Sequence, residues 1–300
     1  MDFPFKRLVI WGLRDVQHTH RYIHLGFFST AQKLGIPVLW VENLASNREA
    51  IRAGDLVISA NVAGDKLPIV RGAKYVLHNF KGSFDHMLDQ LGEDCVQLQV
   101  FTNATAKGAE EIGTCTYINR STRTLIQPWG TNLLRHEFLP PPKTRLKYFV
   151  FWIGSVWNNQ LDQGNVNEYA AMKRALWRNH KLLFRPKVSD AWAARLVRRS
   201  VISPAIAARW QVENGYLPCR MFKNVSYGQL GTTNVMEFEK ILGSALISST
   251  NIDRVVDGDL SIKDTDRADM IREQQKLIAN HTYEDKLRYM LQAFEMLGRS

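Results

Sequence analysis

The chain has 300 residues, of which 45% are hydrophobic, and it carries a net charge of +10 and three cysteines. Its length allows one large domain or two of ordinary size, and its apolar share supplies a sizeable core. It has no apolar run of the roughly 18–20 residues that a membrane span needs, no signal-peptide pattern and no nucleic-acid-binding motif. The odd number of cysteines, without metal-ligand spacing, favours the reducing cytoplasm.

Strands and helices alternate along the first half of the chain. We predict helices over 18–34, 47–53 and 84–91, and strands over 7–13, 36–41, 55–60, 73–78, 96–102, 114–118 and 124–128. The strand segments are rich in β-branched and apolar residues, and Gly35 suits the end of the first helix. Such alternation is typical of an α/β fold, in which helices cover both faces of a parallel sheet.

A proline-rich connector separates this half from the next. The three prolines at 140–142 cannot lie in a helix or a central strand, so we place a domain boundary between residues 139 and 140. Beyond it we predict strands over 148–153, 181–185 and 245–248, a strand or extended loop over 219–225, and helices over 166–178, 191–200, 204–212, 234–242, 266–280 and 283–297. Two Rossmann-like halves are expected to leave an interdomain cleft, where ligands meet the carboxyl ends of the strands.

The stretch 210–234 (WQVENGYLPCRMFKNVSYGQLGTTN) is too polar for a core strand and mixes cations, amides, hydroxyls and glycine. Arg220 and Lys223 supply positive charge, and we predict that they neutralise the diphosphate of a nucleotide-sugar. A pair of surface cations is the alternative. Hydroxyl-bearing residues of the same stretch are predicted to add hydrogen bonds, with capping as their alternative role: Ser226, Tyr227, Thr232 and Thr233.

Further candidates for this donor site lie at strand ends and before Arg220. Arg185 ends the segment KLLFR, so its guanidinium is expected to face the ligand. Gly154 and Ser155 follow the segment FVFWI, where the glycine lets a diphosphate approach the backbone. Glu213 and Asn214 are predicted to contact the ribose or the sugar, because a carboxylate can accept both hydroxyl protons of a diol. The end of an arginine-rich helix is their alternative role.

Three stretches resemble glycosyltransferases of the GT-B type, which have two facing Rossmann-like domains. Residues 11–27 (WGLRDVQHTHRYIHLGF) are similar to the first strand–loop–helix of glycosyltransferases of bacteria and large algal viruses, and residues 212–228 (VENGYLPCRMFKNVSYG) to their donor-domain stretch. Residues 281–291 (HTYEDKLRYML) resemble the closing helix. The resemblance implies an acceptor domain over 1–139, a donor domain over 140–280 and a helix over 281–300 that crosses back to the first domain.

The stretch 212–228 also resembles the Glu-Asn…Glu-Lys donor motif of the fucosyltransferases. Glu213, Asn214 and Lys223 match that motif, but Phe222 stands where the family has its second acid, and the spacing is shorter by a residue. This likeness implies inversion by a single displacement.

An inverting transferase needs a base in its acceptor domain to take the proton of the acceptor hydroxyl. His18 and His20 open the first helix, and histidine suits the role because its ordinary pKa lies near neutral pH. Asp15 is the rival base. His20 and His24 also have the spacing of metal ligands on one helix face, but no third ligand is evident nearby.

The triplet at 264–266 (DTD) resembles the DxD motif of metal-dependent transferases, but it precedes a long helix instead of following an apolar strand. We predict that it begins that helix, and that the protein uses neither a metal nor another cofactor.

These features predict a metal-independent, inverting glycosyltransferase that moves a hexosyl or pentosyl group from a nucleoside-diphosphate sugar to a glycan, a lipid-linked acceptor or another hydroxyl acceptor. The alternatives are a retaining GT-B transferase and a non-catalytic protein that binds nucleotides or sugars. We expect a cytoplasmic location with a possible peripheral membrane contact, because the helices over 191–212 combine arginine with tryptophan. The cations form no continuous run, so we predict no nucleic-acid partner.

Overall fold

The computed structural model describes residues 2–15, 19–105 and 107–298. The chain divides into two compact units, of which the first comprises Met1–Gln127 together with Tyr283–Ser300 and the second comprises Pro128–Thr282. None of the described helices combines the length and the apolar character that crossing a membrane would require.

Strands and helices alternate in both units, as the sequence predicts. The strands of the described residues are β1 (Arg7–Trp11), β2 (Val38–Val41), β3 (Asp55–Ala60), β4 (Lys74–His78), β5 (Cys95–Gln99), β6 (Glu110–Gly113), β7 (Thr116–Asn119), β8 (Thr124–Ile126), β9 (Phe149–Phe151), β10 (Leu182–Phe184), β11 (Thr232–Thr233) and β12 (Ile247–Ser248). The α-helices are α1 (Thr19–Lys33), α2 (Asp85–Leu91), α3 (Thr102–Thr105), α4 (Val166–Arg178), α5 (Asp190–Arg199), α6 (Arg209–Glu213), α7 (Cys219–Ser226), α8 (Glu239–Leu242), α9 (Ile252–Ser261), α10 (Asp264–Leu277) and α11 (Tyr283–Gly298).

Within the described residues, the first unit is built on an eight-stranded sheet with the order β2-β1-β3-β4-β5-β8-β7-β6. Strands β1 to β5 and β8 pair in parallel, whereas β7 pairs antiparallel with both β6 and β8. Every residue of β3 (DLVISA) is buried, as expected of a central strand covered on both faces. The predicted parallel α/β sheet is confirmed, and its order places a topological switch point between β1 and β3.

The C-terminal helix α11 belongs to the first unit, where it packs on α1. The rings of Phe27 and Tyr283 meet edge to face with their centroids 4.8 Å apart. A Cβ atom on Gly26 would lie 2.3 Å from the Tyr283 ring, so the bare backbone of this glycine lets the ring approach α1. This contact fixes the start of α11 against the N-terminal helix.

The second unit contains two short parallel pairs, β10–β9 and β11–β12. The irregular segment 201–205 lies between them, because the Val201 amide donates to the Phe149 carbonyl (2.9 Å) and the Ala205 amide donates to the Thr232 carbonyl (2.7 Å). The resulting order, β10, β9, segment 201–205, β11, β12, repeats the order β2-β1-β3-β4-β5 of the first unit. The second unit therefore has its own switch point, between β9 and segment 201–205.

Two predicted elements of this unit are wrong. Residues 219–225 form helix α7 instead of a strand or extended loop, because Met221, Phe222 and Val225 make one buried helical face. Residues 204–208 do not form a helix, and α6 begins only at Arg209. The buried residues of this run, Ala205 to Ala208, instead continue the middle of the sheet.

The domain boundary predicted between 139 and 140 lies inside the second unit. Residues just before it are tied to that unit, since the Leu139 amide donates to the Ser226 carbonyl (2.8 Å) and the Thr131 and Ser226 hydroxyls lie 2.7 Å apart. The DTD triplet forms the first turn of α10, where Asp264 pairs with Arg145.

Candidate functional site

Arg220, the second residue of α7, reaches the switch point of the second unit. Its guanidinium carbon lies 3.6 Å from the centre of the Trp152 ring, the distance of a close cation–π contact. Its Nε donates to the carbonyl of Ile153 (3.2 Å), and its Nη1 donates to the carbonyl of Ile206 (3.3 Å). Ile153 follows β9 and Ile206 follows segment 201–205, so one side chain joins the carboxyl ends of the two elements.

The third nitrogen of this guanidinium, Nη2, makes no hydrogen bond to any residue that the structure describes. It lies against Gly154, where an added Cβ atom would come within 2.3 Å of it. Gly154 has a φ of +148°, a backbone angle that residues with a side chain rarely adopt. The glycine thus leaves room for Nη2 at the strand end, and this nitrogen keeps its two N–H donors for a ligand.

Burial lowers the pKa of Arg220 to about 10, partly offset by the neighbouring Cys219 and Tyr216. At neutral pH the guanidinium still carries its positive charge. A small cavity beside it is lined by residues of β9 and by Ser203, Pro204 and Asn224. The switch point of the second unit therefore presents a fixed, partly desolvated cation beside this small cavity.

Lys223 lies one helical turn after Arg220. The buried side of α7 is formed by its apolar residues with Asn224 and Ser226, whereas Arg220 and Lys223 are both half-buried. Residues three apart on a helix are surface neighbours, so the two cations share one side of α7. The structure thus brings together the two residues on which the sequence analysis placed the diphosphate.

Arg185 lies at the same edge of the sheet. It directly follows β10, whose last residue, Phe184, accepts a hydrogen bond from the Trp152 amide (2.7 Å). Arg185 is exposed, and its side chain makes no hydrogen bond or ion pair within the described part of the chain. The exposed Ser155 follows Gly154, and its carbonyl accepts a hydrogen bond from the Asn165 amide group (3.1 Å).

The proposed ribose contacts, Glu213 and Asn214, lie at the end of α6. Glu213 is exposed and pairs with Arg209 one turn earlier (2.7 Å), and the Asn214 side chain donates to the Trp210 carbonyl (2.8 Å). These contacts fit the helix-end alternative, and the ribose role stays a prediction.

The four hydroxyl-bearing candidates after Arg220 are buried and bonded within the protein. The Ser226 hydroxyl lies 2.7 Å from that of Thr131, and the Tyr227 hydroxyl donates to Asn132 (2.7 Å). The hydroxyls of Thr232 and Thr233 donate to Asp259 (2.8 Å) and to the Ala205 carbonyl (2.7 Å). Their role as donor ligands stays a prediction that these contacts do not support, because each hydroxyl already bonds inside the protein.

In the first unit, His20 lies beside His78, a residue that the sequence analysis did not single out. His20 is in the first turn of α1, and its Nε2 is 3.0 Å from Nδ1 of His78, the last residue of β4. His24 is buried one turn later, with its ring centre 6.4 Å from that of His20. A Cβ atom on Gly12 would lie 2.4 Å from the His24 ring, so this glycine after β1 accommodates the imidazole.

The buried histidine of this pair, His78, is electrically neutral. Burial, followed by the charges on His20 and His24, holds the pKa of His78 well below 6.5. A neutral imidazole has one N–H, so one ring of the pair donates and the other accepts. Of the two other predicted bases, Asp15 is exposed and His18 lies outside the described residues.

No group of three or more His, Cys, Asp or Glu residues in the described ranges is arranged to hold a metal ion. His78 and Trp152 are the site neighbours that sequence analysis missed. His78 is the last residue of the predicted strand 73–78 and Trp152 is the last but one of 148–153, and this position near a strand end is the signal that points to them.

No protein-family model matches the sequence, and no curated protein matches it. Solved structures do match. The structure described as trehalose-6-phosphate from E. coli bound with UDP-2-fluoro glucose has a TM-score of 0.56 and 10% identity, over 96% of this chain and 99% of that one. A trehalose-6-phosphate synthase studied for glycosyl transfer with retention has a TM-score of 0.56 and 10% identity, over 97% and 99%. The N-terminal domain of the Candida albicans trehalose-6-phosphate phosphatase gives 0.57 and 9%, over 97% of both chains.

At this low sequence identity the likeness concerns the fold. It extends over nearly the whole chain in each comparison, and it agrees with the repeated strand order of the two units. The resemblance seen in the sequence is thereby confirmed: the chain has the fold of the GT-B glycosyltransferases.

Proposed function

We propose that this protein is a glycosyltransferase that binds a nucleoside-diphosphate sugar at the switch point of its second unit. The observation that carries the proposal is the Arg220 guanidinium, which joins the ends of β9 and segment 201–205 and keeps Nη2 for a ligand. Ligands of open α/β sheets sit at such a point. The likeness to a structure bound with UDP-2-fluoro glucose supports a UDP-sugar as the first donor to test.

The cations of this site act on the leaving group. Transfer of the sugar breaks the bond to the diphosphate, and negative charge builds on the diphosphate oxygens as the bond breaks. Arg220 is positioned before the reaction, so it stabilises that charge without reorganising. Lys223 and the exposed Arg185 add positive charge at the same edge. We propose that these side chains neutralise the diphosphate without a metal ion.

On the acceptor side, an inverting reaction requires a base near the acceptor hydroxyl. We assign this role to His20, with His18 and Asp15 as rivals. His20 lies at the carboxyl edge of the first sheet, held 3.0 Å from the neutral ring of His78. The hydroxyl proton moves to the imidazole as the oxygen attacks the anomeric carbon. The acceptor is a hydroxyl of a glycan or lipid-linked sugar.

His20 can be tested through its partner. We expect His78→Phe to lower kcat by on the order of tenfold or more, because the ring that orients His20 is removed, while the KM for the donor stays unchanged. The pH profile of kcat should move as well, and His78→Gln should restore part of the rate. His86→Gln, which changes an exposed histidine of the same unit, is the control. If His18, His20 and Asp15 variants all keep wild-type rates, the base assignment is wrong.

Retention of configuration is the second candidate mechanism, and one observation favours it: a synthase with this fold is described as transferring with retention. The anomeric configuration of the first product, followed by proton NMR during turnover, decides between the two. A retained configuration would remove the need for a base in the first unit and would leave the role of Arg220 intact.

Binding without transfer is the remaining alternative, supported by the likeness to a domain of a phosphatase. A nucleotide panel tests whether the site binds. We expect UDP, GDP or dTDP at a hundredfold excess over its Kd to stabilise the folded protein by about 2.7 kcal/mol, a shift of several degrees in Tm. Slow hydrolysis of the matching nucleotide-sugar in the absence of acceptor, with release of the nucleoside diphosphate, would show that the protein is an enzyme. Stabilisation without release would show a binding protein, and no stabilisation by any nucleotide would contradict the proposed site.

A further inference from the structure

Nearly all of the net positive charge of the chain lies in one part of the second unit. Residues 143–199 contain twelve Lys and Arg against three Asp and Glu, a net charge of +9 out of +10 for the whole chain. The same part holds eight of the thirteen large apolar side chains that are exposed among the described residues. Exposed cations and exposed apolar side chains are therefore concentrated in the same stretch of the chain.

Helix α5 contributes one exposed face of mixed character. Trp192, Arg195 and Arg199 are exposed and spaced three and four residues apart, whereas Ala193 and Val197 on the opposite side are buried. Trp192 is 56% exposed, and the Arg195 guanidinium lies 5.3 Å from the centre of its ring. The helix therefore differs from an ordinary amphipathic helix, because its solvent-exposed face carries a large aromatic ring among the cations.

The strand β10 adds apolar surface. Leu182 and Phe184 point to the same side of this edge strand and are 41% and 44% exposed. Leu183 points to the other side, where it packs against the core below α4. The Phe184 ring lies 5.7 Å from that of Phe149. An edge strand with two outward apolar side chains is a surface that proteins usually cover.

Hydrogen bonds connect helix α5 with strand β10 through residues 146–148. The end of α5 meets the segment just before β9, because the Leu146 amide donates to the Arg199 carbonyl (2.7 Å). Two residues on, the Tyr148 ring is 50% exposed and lies between two ammonium groups, 5.7 Å from Lys147 and 5.5 Å from Lys181. The Leu182 amide donates to the Tyr148 carbonyl (2.8 Å). We define the basic–aromatic surface by its apolar residues and its cations: Tyr148, Leu182, Phe184, Trp192, Lys147, Lys181, Arg195 and Arg199.

We infer that the basic–aromatic surface binds the headgroup region of an anionic phospholipid bilayer. Aromatic and aliphatic side chains enter the boundary between headgroups and acyl chains, and neighbouring cations pair with lipid phosphates. The other ligand to consider is a single-stranded nucleic acid, whose bases stack on open aromatic faces. Here the rings of Tyr148 and Trp192 have cations beside them, and the aliphatic Leu182 cannot stack on a base. The chemistry therefore favours lipid.

This surface borders the donor site at Phe184, which directly precedes Arg185. None of its side chains bonds to Arg220 among the described contacts, and the proposed base lies in the first unit. Membrane binding can therefore be measured by an assay that does not depend on glycosyl transfer. If the protein does not bind vesicles, the proposed function is unaffected.

The test is sedimentation of the full chain with vesicles. We expect the protein to bind vesicles of phosphatidylcholine mixed with phosphatidylglycerol, to bind vesicles of phosphatidylcholine alone much more weakly, and to lose affinity as salt is raised. The double variant Arg195→Gln with Arg199→Gln should lower the binding constant for anionic vesicles on the order of tenfold or more. Trp192→Ala should lower it at every salt concentration, because its contribution is apolar.

Matched controls exist in the first unit. Arg48→Gln with Arg52→Gln changes two exposed arginines with the same four-residue spacing, and Leu44→Ala changes an apolar side chain that is 51% exposed. Both control proteins should bind as the wild type does, and circular dichroism should show that all variants fold.

Three results would overturn the inference. One is equal loss of binding in the control variants, which would show a general effect of net charge. Another is binding to single-stranded RNA, abolished by the surface variants, with no vesicle binding. The third is a dimer in sedimentation velocity that Trp192→Ala dissociates, which would assign the surface to a second copy of the chain.

Discussion

Replacing Arg220 by glutamine is expected to lower kcat/KM for transfer by on the order of a hundred- to a thousandfold, the range measured when one preorganised donor to a developing charge is removed. Glutamine keeps a polar side chain at the switch point but removes the positive charge and the Nη2 donors. The effect should fall mainly on kcat, because the diphosphate gains charge as the sugar leaves. The stabilisation of the folded protein by the free nucleoside diphosphate should also be weaker in this variant.

The loss must come from the site and not from misfolding. Arg220 also bonds the Ile153 and Ile206 carbonyls, so thermal melting of each variant is required alongside kinetics. Arg220→Lys keeps the charge and loses the fork of donors, and it should retain more activity than glutamine. Gly154→Ala tests the same point from the other side, since its Cβ would displace Nη2. Wild-type turnover in a folded Arg220→Gln protein would remove the basis of the proposed function.

A matched comparison separates Arg220 from the general positive charge of the edge. Arg185→Gln removes an exposed cation that bonds to no described residue. Because an exposed charge is screened by solvent, we expect a smaller loss than for Arg220, and one that fades at high salt. Equal losses in the two variants would indicate that charge, and not the fixed geometry at the switch point, matters.

The sequence singles out the two cations of this site, whereas it mispredicts the local structure around them. Arg220 and Lys223 were identified from residue type, yet the segment around them was expected to be extended. The helix α7 is short, and its apolar residues Met221, Phe222 and Val225 do not repeat for long enough to show a helical period clearly. Gly154 is predicted from the sequence to let a diphosphate approach the backbone, and that role stays a prediction; in the structure the guanidinium of Arg220 lies against this glycine.

The large sheet of the first unit was easier to predict because its strands are long and apolar. The second unit has strands of two or three residues, and its middle element, segment 201–205, has no regular strand at all. Its position between β9 and β11 follows from hydrogen bonds between distant residues, which a local pattern does not contain. For the same reason, the pairing of His20 with His78 is visible only after the sheet brings β4 next to α1.

A buried ion pair in the second unit gives the largest expected effect on stability. Asp259 and Arg267 are almost completely inaccessible to solvent, and Nη1 of Arg267 lies 2.5 Å from Oδ1 of Asp259. The other carboxylate oxygen accepts a hydrogen bond from the Thr232 hydroxyl (2.8 Å). Through Thr232 the pair links β11 to α9, which packs on β11 and β12, and to Arg267 of α10.

Arg267→Met should therefore destabilise the protein by about 3–5 kcal/mol, because it leaves the Asp259 carboxylate buried without its partner. Thermal unfolding monitored by circular dichroism should show a drop in Tm on the order of 10 °C. The loss should be partly relieved as the pH falls. Burial already raises the pKa of Asp259 in the native protein, and without Arg267 the folded state will bind a proton still more readily than the unfolded state.

The double variant Arg267→Met with Asp259→Asn is the matched control. It removes the buried charge together with its partner, so it should recover much of the lost stability, and its Tm should no longer rise as the pH is lowered. Arg272→Gln, which breaks an exposed pair with Asp269 on the same helix, should change the free energy of unfolding by less than about 1 kcal/mol. An Arg267→Met protein as stable as the wild type at neutral pH would mean that Asp259 is already protonated there, so that Arg267 bonds a neutral carboxyl group where we describe an ion pair.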